Sequence, residues 1–108
     1  MAQDFERNIF RQLTTSAQAL RTADSDDALV GINIANTTSS QILVDVFIEV
    51  SSNNYYLVKE APIPAGSALQ LLDGGAKVVM QSGDVLKAQS DTANSADVWV
   101  SVVDSIST

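Results

Sequence analysis

Residues 41 to 50, QILVDVFIEV, form the longest strictly alternating segment of the chain, and they constrain its fold more than any other feature. Apolar β-branched residues recur at every second position, which in an extended strand places them on one face. That face requires burial against a second layer. The opposite face mixes apolar and acidic residues, which suits partial exposure or a subunit contact. The buried face holds Ile42, Val44, Val46, Ile48 and Val50, and the other face holds Leu43, Asp45, Phe47 and Glu49.

The composition excludes several classes of function. The 108 residues have the length of one domain, and thirteen acidic against six basic residues give a net charge of −7. This charge disfavours binding to nucleic acid or to an anionic membrane surface. Cysteine and histidine do not occur, which removes disulfides, thiolate and imidazole catalysis and the commonest zinc ligands. With no apolar run long enough for a secretory signal or a membrane span, the sequence predicts a soluble domain without catalytic residues or cofactors.

The first 12 residues permit more than one structure. Phe5, Ile9 and Phe10 stand among charged residues in a spacing that suits a short amphipathic helix or an extended arm. An arm would lay these side chains on a neighbouring subunit, whereas a first edge strand would close the domain's own core. We therefore treat residues 1–12 as an arm or an edge strand, and residues 13–108 as the sandwich domain. Residues 12 to 21 are typical of a weak, interrupted strand.

The sharpest charge cluster lies in residues 22 to 27, TADSDD, where Asp24, Asp26 and Asp27 stand close together. Three such carboxylates raise the question of a divalent cation. A calcium loop needs six or more oxygen ligands at ordered spacing and a glycine at its turn, and this pattern is missing. We therefore predict an acidic turn between two strands, with side chains bonded to local backbone amides and no metal site.

Further strands are predicted on both sides of the central segment. Residues 28 to 36, ALVGINIAN, alternate like a second buried strand, and the polar turn that follows predicts an antiparallel hairpin with residues 42 to 50 as the core. Residues 55 to 59 predict the strand that returns on the other side. Adjacent tyrosines there point to opposite faces, so an outward tyrosine such as Tyr55, beside Phe47, is either a contact point for another chain or an ordinary, partly exposed side chain.

The second half continues in short strands. The two prolines of residues 61 to 66 mark a change of layer. Residues 68 to 72 and 76 to 80, on either side of a glycine turn, predict a second hairpin, and residues 85 to 90 and 97 to 103 are the last two strands. The sequence GGAK within that turn lacks the spacing and the following helix of a phosphate-binding loop. Seven or eight short strands predict an all-β antiparallel sandwich with Greek-key or jelly-roll connections.

An ordered series of local motifs carries a family resemblance. The series consists of the corner Ile63-Pro64-Ala65-Gly66, the step Asp73-Gly74-Gly75, the turn Ser82-Gly83-Asp84 and the loop Asp91-Thr92-Ala93 before a valine-rich strand. With these features the chain resembles small virion proteins of tailed bacteriophages, above all those of contractile-tailed phages of marine cyanobacteria. MAQDFERN at the start and DDALVGINIANTT at 26 to 38 extend the resemblance over nearly the whole chain.

The resemblance implies a part of the virion that is made in the host cytoplasm and assembles with copies of itself and with other virion proteins, without enzyme activity. Two hypotheses follow. The first is a capsid decoration or cement protein, or a neck or tail accessory subunit. The alternative is a carbohydrate- or receptor-binding module of a phage fibre, with Tyr55, Tyr56 and Trp99 as aromatic platform. The expected subunit contacts of the first are Phe5, Ile9, Phe10, Phe47 and Tyr55.

Overall fold

The computed structural model describes residues 4–104, except for the side chains of residue 4 and residues 73–76, and this range folds into eight strands. A helix with the length and hydropathy of a membrane span does not occur among these residues. The strands are β1 (Asp4–Leu13), β2 (Gln18–Thr22), β3 (Asp27–Asn36), β4 (Ile42–Val50), β5 (Asn53–Ile63), β6 (Ala68–Met80), β7 (Val85–Ser90) and β8 (Ala96–Asp104).

The strands form two antiparallel sheets of four. The first sheet has the order β1-β8-β3-β6 and the second has the order β2-β7-β4-β5. Each connection except the one from β4 to β5 passes from one sheet to the other, which is a jelly-roll-like arrangement. The predicted all-β antiparallel sandwich is confirmed.

The core lies between the two sheets and is built by alternation along the strands. In β4, the residues at positions 42, 44, 46 and 48 are buried as predicted, and Val50 at the end of the strand is half-buried. In β8, the valines alternate inward while Trp99 faces solvent. The largest fully buried side chains are Leu13, Leu29, Ile32, Ile34, Ile42, Ile63, Met80, Leu86, Val44, Val46, Val100 and Val102.

The predicted hairpin between residues 28–36 and 42–50 is wrong. These segments are β3 and β4, and they lie in different sheets. Asn36 fixes the crossing: its Nδ2 donates to the carbonyl oxygens of Ser40 at 2.8 Å and Ile63 at 2.9 Å, and its Oδ1 accepts from the amide of Thr38 at 2.9 Å. Two strands that each have one strongly apolar face bury both faces when they belong to facing sheets, because the faces then meet across the core.

The predicted second hairpin at residues 68 to 80 is also wrong, because the whole segment is one strand, β6. It pairs with β3 from Ala35↔Ala68 to Asp27↔Met80, and the register shifts between Leu29 and Gly31. Gly31 pairs with Asp73, so the glycine step stands at an irregularity of the ladder and not at a turn. The ten-residue β3 provides backbone partners for both halves of β6, which therefore need not pair with each other.

Other local features agree with their predictions. The returning strand after β4 is β5, and the two turn residues Ser51 and Ser52 have φ of 51° and 72°, the positive values of a type I′ hairpin turn. Pro62 lies in β5, an edge strand, where no ladder bond from its nitrogen is needed. The chain changes sheet directly after it, as the prolines predicted. The last two strands are β7 and β8.

Residues 4–13, for which the sequence left open an arm and an edge strand, form β1. This strand pairs with β8 from Asp4↔Asp104 to Leu13↔Ala96. Leu13 is fully buried. The following break at residues 14–17 divides the predicted weak strand of residues 12–21 between the end of β1 and β2.

Candidate interaction surfaces

Large exposed apolar side chains of the described residues gather mainly in two patches. The β1–β8 patch consists of Phe5, Ile9 and Trp99 on the outer face of the first sheet. The β5 patch consists of Tyr55 and Tyr56 at the edge of the second sheet. Exposed patches of this kind mark sites of association more often than isolated side chains do.

Strand register assembles the β1–β8 patch. Phe5 pairs with Val103 and Ile9 pairs with Trp99, so alternate residues of both strands share the outer face. Phe5 is 84% exposed, Ile9 55% and Trp99 50%. Between them, the guanidinium carbon of Arg7 lies 5.2 Å from the centroid of the Trp99 ring, a cation–π contact.

A shallow depression of about 390 Å³ adjoins the Trp99 ring. Its walls combine apolar surface with one basic and one acidic side chain. The Oδ1 atom of Asp97 accepts a hydrogen bond from the amide of Gln12 at 3.0 Å, which engages this carboxylate within the sheet. The lining residues are Ile9, Phe10, Arg11, Asp97, Val98 and Trp99.

The β5 patch rests on a buried ring. Phe47 is 4% exposed because the ring of Tyr56 covers it, with the two centroids 5.0 Å apart. The Nζ atom of Lys59 lies 4.9 Å from the centroid of Tyr56 and 3.7 Å from Oδ2 of Asp45. Tyr55, the other residue of the pair, remains 59% exposed.

The expected contact residues therefore divide into three accessible and two covered side chains. Phe5, Ile9 and Tyr55 are exposed, whereas Phe10 packs partly against the core and Phe47 lies beneath Tyr56. Their role in subunit contacts stays a prediction. Sequence reasoning did not select Trp99 for this role, although its alternation with buried valines already placed it on the outer face.

The two patches lie on opposite sides of the sandwich. β1 contacts β2 at one side, while β5 is the last strand of its sheet at the other and leads by a four-residue turn into β6. Trp99 and the tyrosine pair therefore belong to different sheets and do not form one platform for a sugar. This separation removes the sequence argument for a carbohydrate-binding module.

Asp27, at the start of β3, pairs with a cation that the protein itself supplies, and two acidic residues from other strands pair with the same cation. The guanidinium of Arg21 lies 2.9 Å from Asp27, 2.9 Å from Glu6 and 3.4 Å from Asp104. The carboxylates of Asp24, Asp27 and Asp104 approach within 4.8 Å of one another. Of the three aspartates that the sequence singled out, Asp24 and Asp27 belong to this group, and Asp104 was missed because it lies 77 positions after Asp27.

Burial perturbs the ionisation of this cluster. Desolvation raises the pKa of Asp27, and its hydrogen bond with Asp104 adds to the increase, while Arg21 opposes it. Desolvation alone would lower the pKa of Arg21, but the hydrogen bonds to Glu6 and Asp27 outweigh it, so the pKa is raised and the guanidinium stays charged. Because the guanidinium of Arg21 already lies among these carboxylates, the cluster is an ion-pair network.

Comparisons with known proteins support the fold. No protein-family model matches the chain, and no curated protein matches its sequence. Among solved structures, the chain is similar to one from the acid-stable capsid of Helicobacter pylori bacteriophage KHP30, with a TM-score of 0.62 and 13% identity over 95% of this chain and 87% of that one. A hydroquinone 1,2-dioxygenase from Sphingomonas sp. TTNP3 aligns with 13% identity over 96% of this chain and 61% of that one, but its TM-score of 0.30 carries no argument.

Proposed function

We propose that the protein is a non-enzymatic structural component of a phage virion that assembles in multiple copies. The observation that carries the proposal is the shared fold with a chain of a phage capsid structure over 95% of the length. Within this role we favour a capsid decoration or cement protein over a neck or tail accessory subunit, because the similar chain comes from a capsid. The resemblance to cyanophage proteins stays a prediction.

The exposed surface is consistent with such a role. Phe5 and Trp99 are aromatic, lie on two paired strands and are already exposed to a partner in the folded domain. Contacts of this type contribute most of the binding energy at protein interfaces, where aromatic residues and arginine are enriched. The arrangement suits docking on other virion proteins.

The decisive experiment locates the chain in purified particles of the phage that encodes it. Cryo-electron microscopy of the particles should show a sandwich of this size at a recurrent position on the shell. Quantitative protein analysis should give a copy number on the order of hundreds, as expected for a decorated shell, whereas a neck or baseplate subunit would give about 6 to 18 copies. Absence of the chain from purified particles would refute the proposal.

A further inference from the structure

We infer that copies of this chain associate head to tail, with the β1–β8 patch of one copy seated on the β5 patch of the next. This inference rests on the proposed function, which requires many copies of the chain. It states which surface of a neighbouring copy each patch contacts. The argument depends on charge, on exposed aromatic side chains and on the positions of the two patches.

The β1–β8 patch is locally basic on an acidic protein. Arg7 and Arg11 lie on this outer face, and among the side chains that the structure describes no carboxylate forms an ion pair with either. Asp97 is the acidic residue of the adjoining depression. Two arginines against one aspartate leave a surplus of one positive charge, although the whole chain carries −7.

The surface beside the β5 patch has the opposite sign. A second depression, on the outer face of the second sheet, adjoins the patch through Lys59, whose Nζ lies over the Tyr56 ring. Its walls include the carboxylates of Asp45, Glu60 and Asp91 against this one lysine. Three acidic residues minus one basic residue leave a surplus of two negative charges.

This distribution selects one pairing of patches. Two β1–β8 patches placed face to face would bring four arginines together, and two β5 patches would bring their acidic depressions together, so charge disfavours both twofold-symmetric contacts. The unlike pairing places Arg7 and Arg11 against the acidic depression. It also covers exposed aromatic side chains on both partners at once, namely Phe5 and Trp99 on one copy and Tyr55 and Tyr56 on the other.

The position of the patches allows the contact to repeat. They occupy opposite sides and opposite faces of the sandwich, so a copy that binds through one patch keeps the other free. A heterologous contact of this kind propagates until a ring closes or an open array forms. The inference therefore requires association beyond a dimer.

The first test measures self-association of the purified full chain by sedimentation between about 10 μM and 1 mM, a range that detects weak contacts. We expect reversible association that weakens several-fold when salt is raised from roughly 0.05 to 0.5 M, because exposed charges are screened. Arg11→Glu should raise the dissociation constant about tenfold or more. Lys77→Glu is the matched control, because it makes the same charge change at an exposed position of β6 and should leave association unchanged.

The second test uses two complementary variants. Arg7→Glu with Arg11→Glu alters the β1–β8 patch, and Tyr55→Lys with Glu60→Lys alters the β5 patch. Head-to-tail association predicts that each variant alone is monomeric and that a mixture of the two associates again. Thermal melting confirms that both are folded; should either unfold, Arg7→Gln with Arg11→Gln and the salt dependence of the unaltered chain still test the contact.

Three outcomes would overturn the inference. They are an unaltered chain that stays monomeric up to about 1 mM, a β5-patch variant that associates like the unaltered chain, and a mixture of variants that stays monomeric. None of these measurements involves virus particles. Failure here is therefore distinguishable from failure of the proposed virion role, which depends on finding the chain in the particle.

Discussion

The guanidinium of Arg21 lies 2.9 Å from the Oδ2 atom of Asp27, a residue with no exposure to solvent. Arg21 also contacts Glu6 of β1 and Asp104 of β8, so together with Asp27 of β3 this one side chain connects the edge of the second sheet with three strands of the first. A buried charge that loses its partner destabilises the folded state, whereas the intact network keeps the buried charges paired. This network therefore holds the two sheets together at one end of the sandwich.

Asp27 should make stability depend on pH. Because its pKa is raised above the ordinary value of 3.8, the folded state binds more protons than the unfolded state between the two pKa values. This contribution to the free energy of unfolding is therefore fully present below 3.8 and is lost as pH rises through the folded-state pKa. Urea unfolding of Asp27→Asn across acidic pH should show a smaller loss of stability with rising pH than the unaltered chain.

The neighbouring substitution Asp26→Asn is the control for this measurement, since the described contacts of Arg21 do not include Asp26. It should keep the pH dependence of the unaltered chain. Identical pH profiles for Asp27→Asn and Asp26→Asn would contradict the assignment.

Calcium should not stabilise the protein. A bound metal would raise the melting temperature by mass action, but Arg21 already lies among the carboxylates that could hold it. We expect the melting temperature to agree within about 1 °C in millimolar calcium and in excess chelator. A rise of several degrees with calcium that Asp24→Asn abolishes would show that this group binds a metal.

Val46→Asp should unfold the domain. Val46 is fully buried in β4 between β5 and β7, so the substitution places an unpaired charge in the core. The cost is several kcal/mol against a total stability of about 5–15 kcal/mol. Circular dichroism and thermal melting would detect it. Val79→Asp is the control, because Val79 is 59% exposed on β6. A folded Val46→Asp protein would show that the inward face of β4 is misassigned.

Asn36→Ala should destabilise the sandwich by about 1–3 kcal/mol, the usual cost of leaving buried polar groups without partners. Its side-chain amide bonds backbone groups of Thr38 and Ser40 within the β3–β4 connection and of Ile63 at the end of β5. Chemical unfolding gives the difference in free energy. The half-buried Asn33 on the outer face provides the comparison, and Asn33→Ala should cost clearly less.

Deletion of residues 1–11 should destabilise the fold. As an arm, the segment would be dispensable for folding, but β1 pairs with β8, and Glu6 and Asn8 of this strand bind Arg21. The truncated chain should melt at a clearly lower temperature or fail to fold. Phe5→Ser serves as control, since this side chain is 84% exposed and its loss should leave melting unchanged. Equal melting temperatures for the truncated and full chains would show that β1 contributes nothing to stability.

The sequence by itself determined where most strands lie and which way their residues face. β7 has the bounds that alternation predicted, and the buried faces of β4 and β8 agree with the pattern. This is possible because a strand's period of two is a local property that needs no knowledge of the rest of the chain.

Tertiary structure decided which strands pair and which side chains become accessible. Alternation in β3 and β4 fits a hairpin as well as two facing sheets, and only contacts between distant residues distinguish them. Alternation along β4 places Phe47 on the outward face, yet Tyr56 of β5 covers it. Arg21 contacts Glu6, Asp27 and Asp104 because β1, β2, β3 and β8 converge. This proximity depends on the closed fold and leaves no periodic pattern in the sequence.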